Sequence, residues 1–268
     1  MDFLALMIVF VFGAIIGSFL NVVVYRYNSG TSPLTGRSQC FACGKILEWY
    51  ELFPLLSFLF QKGRCRKCQV KLSWQYPLVE ATSGVMFVAV FLLGKPILES
   101  IYLLAVFSTL LVIAVYDLRH QIIPDGLAAL FAGLALVWFV STVGVRAVHF
   151  PYLWTLIAGP MLFLPFWVLW FVSKGRWLGL GDGKLALGMG WFLGATLGAS
   201  AVMLAFWIGA AWALVLMAFQ RLASNFRGAK LSLKSEIPFG PFLILGVVIV
   251  YFTKVNFFDG SINLFPFL

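Results

Sequence analysis

Three aspartates stand beside long apolar runs, where carboxyl groups are rare. Asp117 and Asp125 belong to the segment YDLRHQIIPD, and Asp182 belongs to the hexapeptide GLGDGK. A carboxylate inside a membrane helix costs about 2.5–3.5 kcal/mol on insertion scales and is therefore a candidate functional group. Two carboxyl groups in one partly desolvated site share a proton, so that one activates water while the other protonates a leaving amine. These residue types favour aspartic peptide hydrolysis.

A purely structural role accounts for the three aspartates to different degrees. Asp125 and Asp182 both precede apolar runs, where an aspartate side chain can cap the first N–H groups of a helix. Asp117 instead ends an apolar run, and an acid at a helix C-terminus opposes the helix dipole. Its placement therefore favours a functional role. The spacing itself indicates only that Asp117 and Asp182 lie at the same membrane face.

The glycines around Asp182 exclude two nucleotide-binding motifs. GLGDGK lacks the spacing of a phosphate-binding P-loop, and its third glycine is misplaced for a dinucleotide fingerprint. Glycine lets another backbone approach closely. We therefore expect Gly179, Gly181 and Gly183 to give an extended substrate backbone room beside Asp182.

The four cysteines form a second group that could do chemistry. They fall into the pairs CFAC and CRKC, with 21 residues between the pairs, a pattern typical of a four-thiolate zinc site. Two disulfides or four reduced thiols are the alternatives, and a cytoplasmic location disfavours disulfides. A closed four-thiolate site would make the zinc ion structural. The predicted ligands are Cys40, Cys43, Cys65 and Cys68.

The elements that must position these residues are membrane helices. The chain is 62% hydrophobic and 11% charged, with a mean hydropathy of +0.99, whereas a soluble domain carries about 25% charged residues. Spans of about 17–25 apolar residues predict helices, because a bilayer requires internal backbone hydrogen bonding. The fold class is therefore an all-α polytopic membrane protein. The eight predicted spans are 3–25, 78–94, 97–117, 127–143, 152–172, 185–198, 200–219 and 238–253.

One polar segment interrupts this pattern and defines the domain organisation. Residues 26–76 are basic, rich in turn residues and contain all four cysteines. The predicted domains are a first transmembrane helix over 1–25, a zinc-binding insert over 26–76, and a helical membrane body over 77–268 that carries the aspartates.

The net charge of +9 sets the predicted topology. If the N-terminus lies outside, all but three of the nineteen lysines and arginines lie on the inner side; the exceptions are Lys95, Arg146 and Lys254. The opposite orientation inverts that ratio. We therefore expect a multi-pass protein with the insert and the aspartates on the cytoplasmic side. The apolar composition predicts lipid as a partner, and the charge distribution, which is explained by topology, argues against nucleic acid.

Small residues recur at helical spacing in two spans. Gly13 and Gly17 are four apart in the first span, and Gly190, Gly194 and Gly198 are four apart near the sixth. Such residues favour close helix–helix contact. We expect the last three to line one face of a single helix that follows GLGDGK.

Seven motifs occur in order along nearly the whole chain: GSFLNVVVYR (17–26), the CFAC/CRKC pairs, LLSFLFQKGRCRKC (55–68), WQYPLVEATSG (74–84), YDLRHQIIPD (116–125), GLGDGK (179–184) and IPFGPF (237–242). With these motifs the chain resembles the type IV prepilin peptidases, which are bifunctional leader peptidases and N-methyltransferases of the GxGD aspartic type. The resemblance implies that Asp117 and Asp182 are catalytic and that the four cysteines hold structural zinc.

The resemblance also implies a substrate, a cofactor and a location. Members of this family cleave a short basic leader from prepilin or pseudopilin precursors, after a glycine and usually before a phenylalanine. They then methylate the new N-terminal amine with S-adenosylmethionine. The implied location is the bacterial inner membrane.

The methyl-transfer site is the least defined part of this expectation. The segment WYELFP (49–54) stands where many relatives have an Asp-Asn-Ile-Pro run, and Phe41 stands where proline is frequent. Glu80 is a candidate for orienting the amine or the cofactor, or is simply an acid near a helix N-terminus. Pro238 and Pro241 either shape a substrate-binding turn or start the last helix.

Three alternatives stay open at this point. A prepilin-type peptidase without methyltransferase activity is the nearest. A proton-coupled transporter is disfavoured, because inverted repeats are missing and both aspartates lie at one membrane face. A non-enzymatic scaffold would explain the cysteines but would leave Asp117 unexplained.

Overall fold

The computed structural model describes residues 2–143, 152–222 and 238–258, and these residues are mainly helical. The described residues contain two isolated antiparallel bridges and no named β-strand. A short 3-10 turn covers Trp49–Glu51. The α-helices are α1 (Phe3–Arg26), α2 (Leu56–Phe60), α3 (Gln75–Leu92), α4 (Ile97–His120), α5 (Asp125–Val143), α6 (Tyr152–Ser173), α7 (Leu180–Leu193), α8 (Ala195–Leu222) and α9 (Gly240–Thr253).

Five of the described helices are long and apolar enough to cross a bilayer. They are α1, α3, α4, α6 and α8, and their hydropathy makes the chain a polytopic membrane protein. Each of the eight predicted spans overlaps one of the eight longer helices. That α5, α7 and α9 also cross the bilayer stays a prediction.

The chain divides into two compact units, Met1–Val115 and Tyr116–Leu268. In the first unit, α1 packs closely against α3. A Cβ atom on Gly13 would lie 2.9 Å from the Cα of Gly84, and one on Gly17 would lie 2.8 Å from the Cα of Glu80. The predicted close contact through Gly13 and Gly17 is therefore confirmed.

In the second unit, α7 lies at the centre and packs against α5, α6, α8 and α9. Its side chains Leu185, Ala186 and Met189 have no exposed surface. A Cβ on Gly190 would collide with the carbonyl of Ala158 in α6. This glycine lets α6 approach α7 closely near the C-terminal end of α7.

The prediction that Gly190, Gly194 and Gly198 line one helix is wrong. Gly194 has φ 83° and ψ 176° and ends α7, and α8 begins at the next residue. That backbone conformation is almost exclusive to glycine, so the apolar run breaks into two helices there. Gly198 lies in α8, where its Cβ position faces Leu162. Hydropathy misses this break because it does not register backbone conformation.

Two glycine-to-alanine variants test the packing around α7. Gly190→Ala should lower the thermal unfolding midpoint of the detergent-solubilised protein, because its methyl group would overlap the α6 backbone and overpacking costs about 1–3 kcal/mol. Gly133→Ala in α5 is the control, since no atom lies within 4 Å of its Cβ position. Equal shifts for the two variants would contradict the assigned α6–α7 contact.

Candidate functional site

Asp117 lies one turn before the end of α4 and is buried, with 4% of its surface exposed. Its carboxylate accepts the backbone N–H of Gly240, the first residue of α9, at 3.1 Å. A buried carboxylate needs such a donor, since burial without a hydrogen-bonding partner is costly. The contact joins two segments that are 123 residues apart.

Gly240 can make this contact only because it has no side chain. A Cβ atom there would lie 2.7 Å from Oδ2 of Asp117 and 3.1 Å from Cδ1 of Ile123. Sequence reasoning missed Gly240, although it lies between the two prolines that were singled out. Pro241 falls at the N-terminus of α9, which agrees with a helix-start role, and Pro238 precedes that helix, half-buried.

Asp182 lies in the first turn of α7 and is also buried, with 8% exposed. The N-cap residue is Gly179, so the expectation that Asp182 could itself be the cap is wrong. The carboxylate instead forms a hydrogen bond with the backbone of Gly179. Asp182 therefore occupies the third helical position, where the N-terminal end of the helix dipole favours a negative charge.

The structure brings Asp117 and Asp182 together. The two carboxyl groups are close enough for a direct charge interaction. Ile123, from the connection between α4 and α5, lies between Gly240, which donates to Asp117, and Gly181, which precedes Asp182. Its Cβ would be 2.9 Å from a Cβ on Gly181, and its Cδ1 would be 3.1 Å from one on Gly240. Four helix ends, those of α4, α5, α7 and α9, therefore meet at one buried pair of acids.

The glycines of GLGDGK have different surroundings. A Cβ on Gly181 would press against Ile123, and one on Gly183 would lie 3.2 Å from Phe166. Internal packing thus accounts for these two glycines. A Cβ on Gly179 would lie 3.5 Å from Oδ2 of Asp182, so Gly179 is nearest to the carboxylate. That these glycines admit a substrate backbone stays a prediction.

Asp125 has a partner that the sequence did not reveal. It is the first residue of α5, preceded by Pro124, and its carboxylate accepts a hydrogen bond from the ammonium of Lys184 at 2.6 Å. Both side chains are exposed, by 76% and 36%, and exposed ion pairs contribute about 0–1 kcal/mol. The pair therefore does little for stability, but it connects the N-termini of α5 and α7 beside Asp182.

The four cysteines form a compact cluster in the first unit. Their ligand atoms all lie within 4.8 Å of one another. The sulfurs of Cys40 and Cys68 are 3.8 Å apart, and those of Cys43 and Cys65 are 4.0 Å apart. A tetrahedron with metal–sulfur bonds of about 2.3 Å has edges of about 3.8 Å. The donor set therefore fits one tetrahedral metal ion.

Each cysteine pair sits on a turn of the same design. The N–H of Cys40 donates to the carbonyl of Lys45 at 2.9 Å, and the N–H of Cys65 donates to that of Val70 at 3.0 Å. An isolated antiparallel bridge flanks each turn. Backbone hydrogen bonds from Cys68 and Lys67 lower the pKa of the Cys65 thiol to about 6, which favours the metal-binding thiolate.

The two turns need a left-handed residue at the same place. Gly44 follows Cys43 with φ 67°, and Gln69 follows Cys68 with φ 58°. Glycine adopts this conformation freely, whereas other residues pay about 1–2 kcal/mol. The second turn therefore carries a strain that the first avoids.

Glu51 connects the two turns and lies in the WYELFP segment. Its side chain is buried and accepts two hydrogen bonds from the ammonium of Lys45, at 2.8 and 2.9 Å, and one from the N–H of Glu48 at 3.0 Å. Arg66 in the second turn lies 3.9 Å away. Burial opposes ionisation, yet the Glu48 N–H and the Lys45 ammonium together lower the pKa of this carboxyl below its usual value.

Glu80 is buried in α3 and its carboxylate is engaged. It accepts the N–H of Leu55 at 2.8 Å and a hydrogen bond from the side chain of Ser18. It is the sixth residue of α3, so it lies beyond the first helical turn. The helix-terminus interpretation is therefore replaced by a contact between α3 and the start of α2.

Family models match both the part of the chain that contains the cysteines and the part that contains the aspartates. The model of the bacterial peptidase A24 N-terminal domain matches residues 11–93, and the model of the type IV leader peptidase family matches residues 104–214. A prepilin leader peptidase/N-methyltransferase of Bacillus subtilis is 30% identical over 255 residues, covering 92% of this chain and 93% of that relative. The chain belongs to the type IV leader peptidase family.

Two further relatives match a shorter part of the chain at higher identity. The proteins named prepilin leader peptidase/N-methyltransferase from Myxococcus xanthus and Klebsiella pneumoniae are 37% and 36% identical. Both matches cover 69% of this chain; they cover 55% of the Myxococcus protein and 83% of the Klebsiella protein. No solved structure matches the chain. The first family model includes the cysteines, and the second includes both aspartates.

Exchanging the left-handed residues tests the paired-turn geometry. Gly44→Gln should lower the unfolding midpoint of the insert and speed metal release to a chelator, because glutamine at φ 67° is strained by about 1–2 kcal/mol. Gln69→Gly should leave metal release unchanged or slower, since it relieves that strain. Faster release from both variants would show that side-chain contacts, and not backbone conformation, determine the stability of these turns.

Proposed function

We propose that this chain is an integral-membrane aspartic endopeptidase that removes the basic leader from prepilin or pseudopilin precursors. The observation that carries the proposal is the buried pair Asp117 and Asp182, two carboxyl groups in direct charge interaction at a meeting point of helix ends. Cleavage would occur after a glycine and usually before a phenylalanine. Membership of the type IV leader peptidase family supports this activity.

The chemistry needs one ionised and one protonated carboxyl group. The carboxylate takes a proton from water, and the water oxygen attacks the scissile carbonyl carbon. The neutral acid hydrogen-bonds to the carbonyl oxygen, and the C–N bond then breaks as the leaving nitrogen takes the proton that the other carboxyl group received from water. The backbone contacts to Gly240 and Gly179 hold Asp117 and Asp182 in fixed orientations, which favours this geometry before substrate binds.

The proposed setting is the bacterial inner membrane, with the N-terminus outside and the aspartates at the cytoplasmic face. The distribution of lysines and arginines supports this orientation. A precursor with an apolar helix and a polar leader would enter from the bilayer and present the bond between these parts near the interface. Lipid and the precursor are thus the proposed partners.

The metal proposed for the cysteine cluster is one structural zinc ion. Four thiolates at tetrahedral spacing suit zinc and leave no open position for catalysis. Element analysis of the purified protein should find one zinc ion per chain, and Cys65→Ser should lose it while Ser73→Ala retains it. Iron or no metal in the well-folded wild-type protein would overturn the assignment.

The second proposed activity is N-methylation of the new N-terminal residue with S-adenosylmethionine. The names of the relatives support it. Glu80 would contribute by holding the start of α2 in place, because its carboxylate already accepts hydrogen bonds from the Leu55 N–H and the Ser18 side chain. The WYELFP segment departs from the family pattern, and a peptidase without methyltransferase activity is the alternative that the next experiment separates.

Mass spectrometry of a purified prepilin incubated with the protein tests both activities. We expect loss of the leader, and a further gain of one methyl group only when S-adenosylmethionine is present. Asp117→Asn and Asp182→Asn should each abolish cleavage, because amides cannot supply the acid and base, whereas the exposed Asp125→Asn should retain most of it. Cleavage without a mass gain would select the alternative, and cleavage by either active-site variant would overturn the proposed mechanism.

Gly240→Ala should lower the cleavage rate without unfolding the protein. Its methyl group would meet Oδ2 of Asp117 and the end of the Ile123 side chain. Both atoms can shift, so the fold should survive while Asp117 is displaced. Gly133→Ala provides the control, and the measurements are the rate constant for leader removal and the unfolding midpoint. An unchanged rate would show that the contact with Gly240 is dispensable for catalysis.

A further inference from the structure

The insert carries a cluster of large apolar side chains that face away from the protein. Leu56, Leu59 and Phe60 in α2 are 50–74% exposed, and Trp74 at the start of α3 is 70% exposed. The ring of Phe58, between them in α2, lies 5.0 Å from that of Trp74. Soluble proteins rarely expose contiguous apolar patches, and such patches indicate a protein or membrane partner.

A single hydrogen bond indicates where α2 lies relative to the bilayer. The N–H of Leu55, directly before α2, donates to Glu80 of α3 at 2.8 Å. Glu80 lies five residues after Gln75, or about 7.5 Å along a helix that rises 1.5 Å per residue. Because α3 is long and apolar enough to cross the bilayer, α2 starts beside the end of a membrane span.

Basic side chains follow α2 immediately. Lys62 and Arg64 are both exposed, and Lys62 lies in the left-handed turn that ends the segment, with φ 50°. Aromatic and aliphatic side chains next to lysine and arginine are the composition of segments that lie in a membrane interface, where the basic residues are attracted to anionic lipid.

We propose that α2 is an interfacial anchor that places Leu56, Leu59, Phe60 and Trp74 at the boundary between headgroups and acyl chains of the bilayer that α3 enters. Lys62 and Arg64 then lie among anionic headgroups. The hydrogen bond from Leu55 to the buried Glu80 fixes the start of α2 beside α3. The insert is thereby held against the membrane surface. This inference does not depend on the proposed peptidase activity.

Site-specific photocrosslinking tests the anchor with the full chain. Benzoylphenylalanine replaces Phe60, a conservative change, or Gln69, which is exposed at a turn of the cysteine cluster, and the protein is placed in nanodiscs of phosphatidylcholine and phosphatidylglycerol in equal parts. We expect lipid adducts at position 60 in several-fold excess over position 69. Equal adduct yields, or crosslinking of position 60 to a second copy of the chain or another protein, would overturn the proposal.

A second variant tests the contribution of charge. Lys62→Gln combined with Arg64→Gln should lower the ratio of phosphatidylglycerol to phosphatidylcholine among adducts at position 60, while total lipid adducts persist through the apolar side chains. The control is the exchange of Lys67 and Lys71 for glutamine, which removes the same charge outside the segment that follows α2. An unchanged lipid ratio in the first variant, or equal changes in both, would refute the headgroup contact.

Discussion

Buried carboxylates require hydrogen-bond donors, and in this protein backbone N–H groups supply them. Asp117 accepts the N–H of Gly240, and Glu80 accepts that of Leu55. Glu51 accepts an N–H in the cysteine-rich insert. Since an unsatisfied buried acid costs several kcal/mol, the contacts of Asp117 and Glu80 each fix where a second segment must lie, whereas that of Glu51 is local. The start of α9 and the start of α2 are both positioned in this way.

Sequence reasoning located what depends on local composition. Apolar runs gave the eight longer helices, and cysteine spacing gave a cluster with the geometry of a metal site. Asp117 and Asp182 were selected by the cost of placing a carboxylate beside an apolar run. The structure places them together, although spacing along the chain could not.

What sequence reasoning missed depends on conformation and on distant partners. Gly194 ends α7 through a positive φ that hydropathy does not detect. Gly240 is needed because Asp117 lies against it, a relation between residues 123 positions apart. Lys184 pairs with Asp125 for the same reason. The WYELFP segment was read as a departure from the family, yet its Glu51 connects the two cysteine turns.

The lengths of α7 and α9 have a consequence for access to the aspartates. Each has 14 residues and rises about 21 Å, some 9 Å less than the hydrocarbon core of a bilayer. Asp182 and the donor to Asp117 both lie at the first turns of these short helices. If α7 and α9 cross the bilayer, as the sequence predicts, such short spans would thin it locally. Thinning would bring water close to the two aspartates while lipid remains beside them, so the proposed hydrolysis and an apolar substrate could meet without a channel.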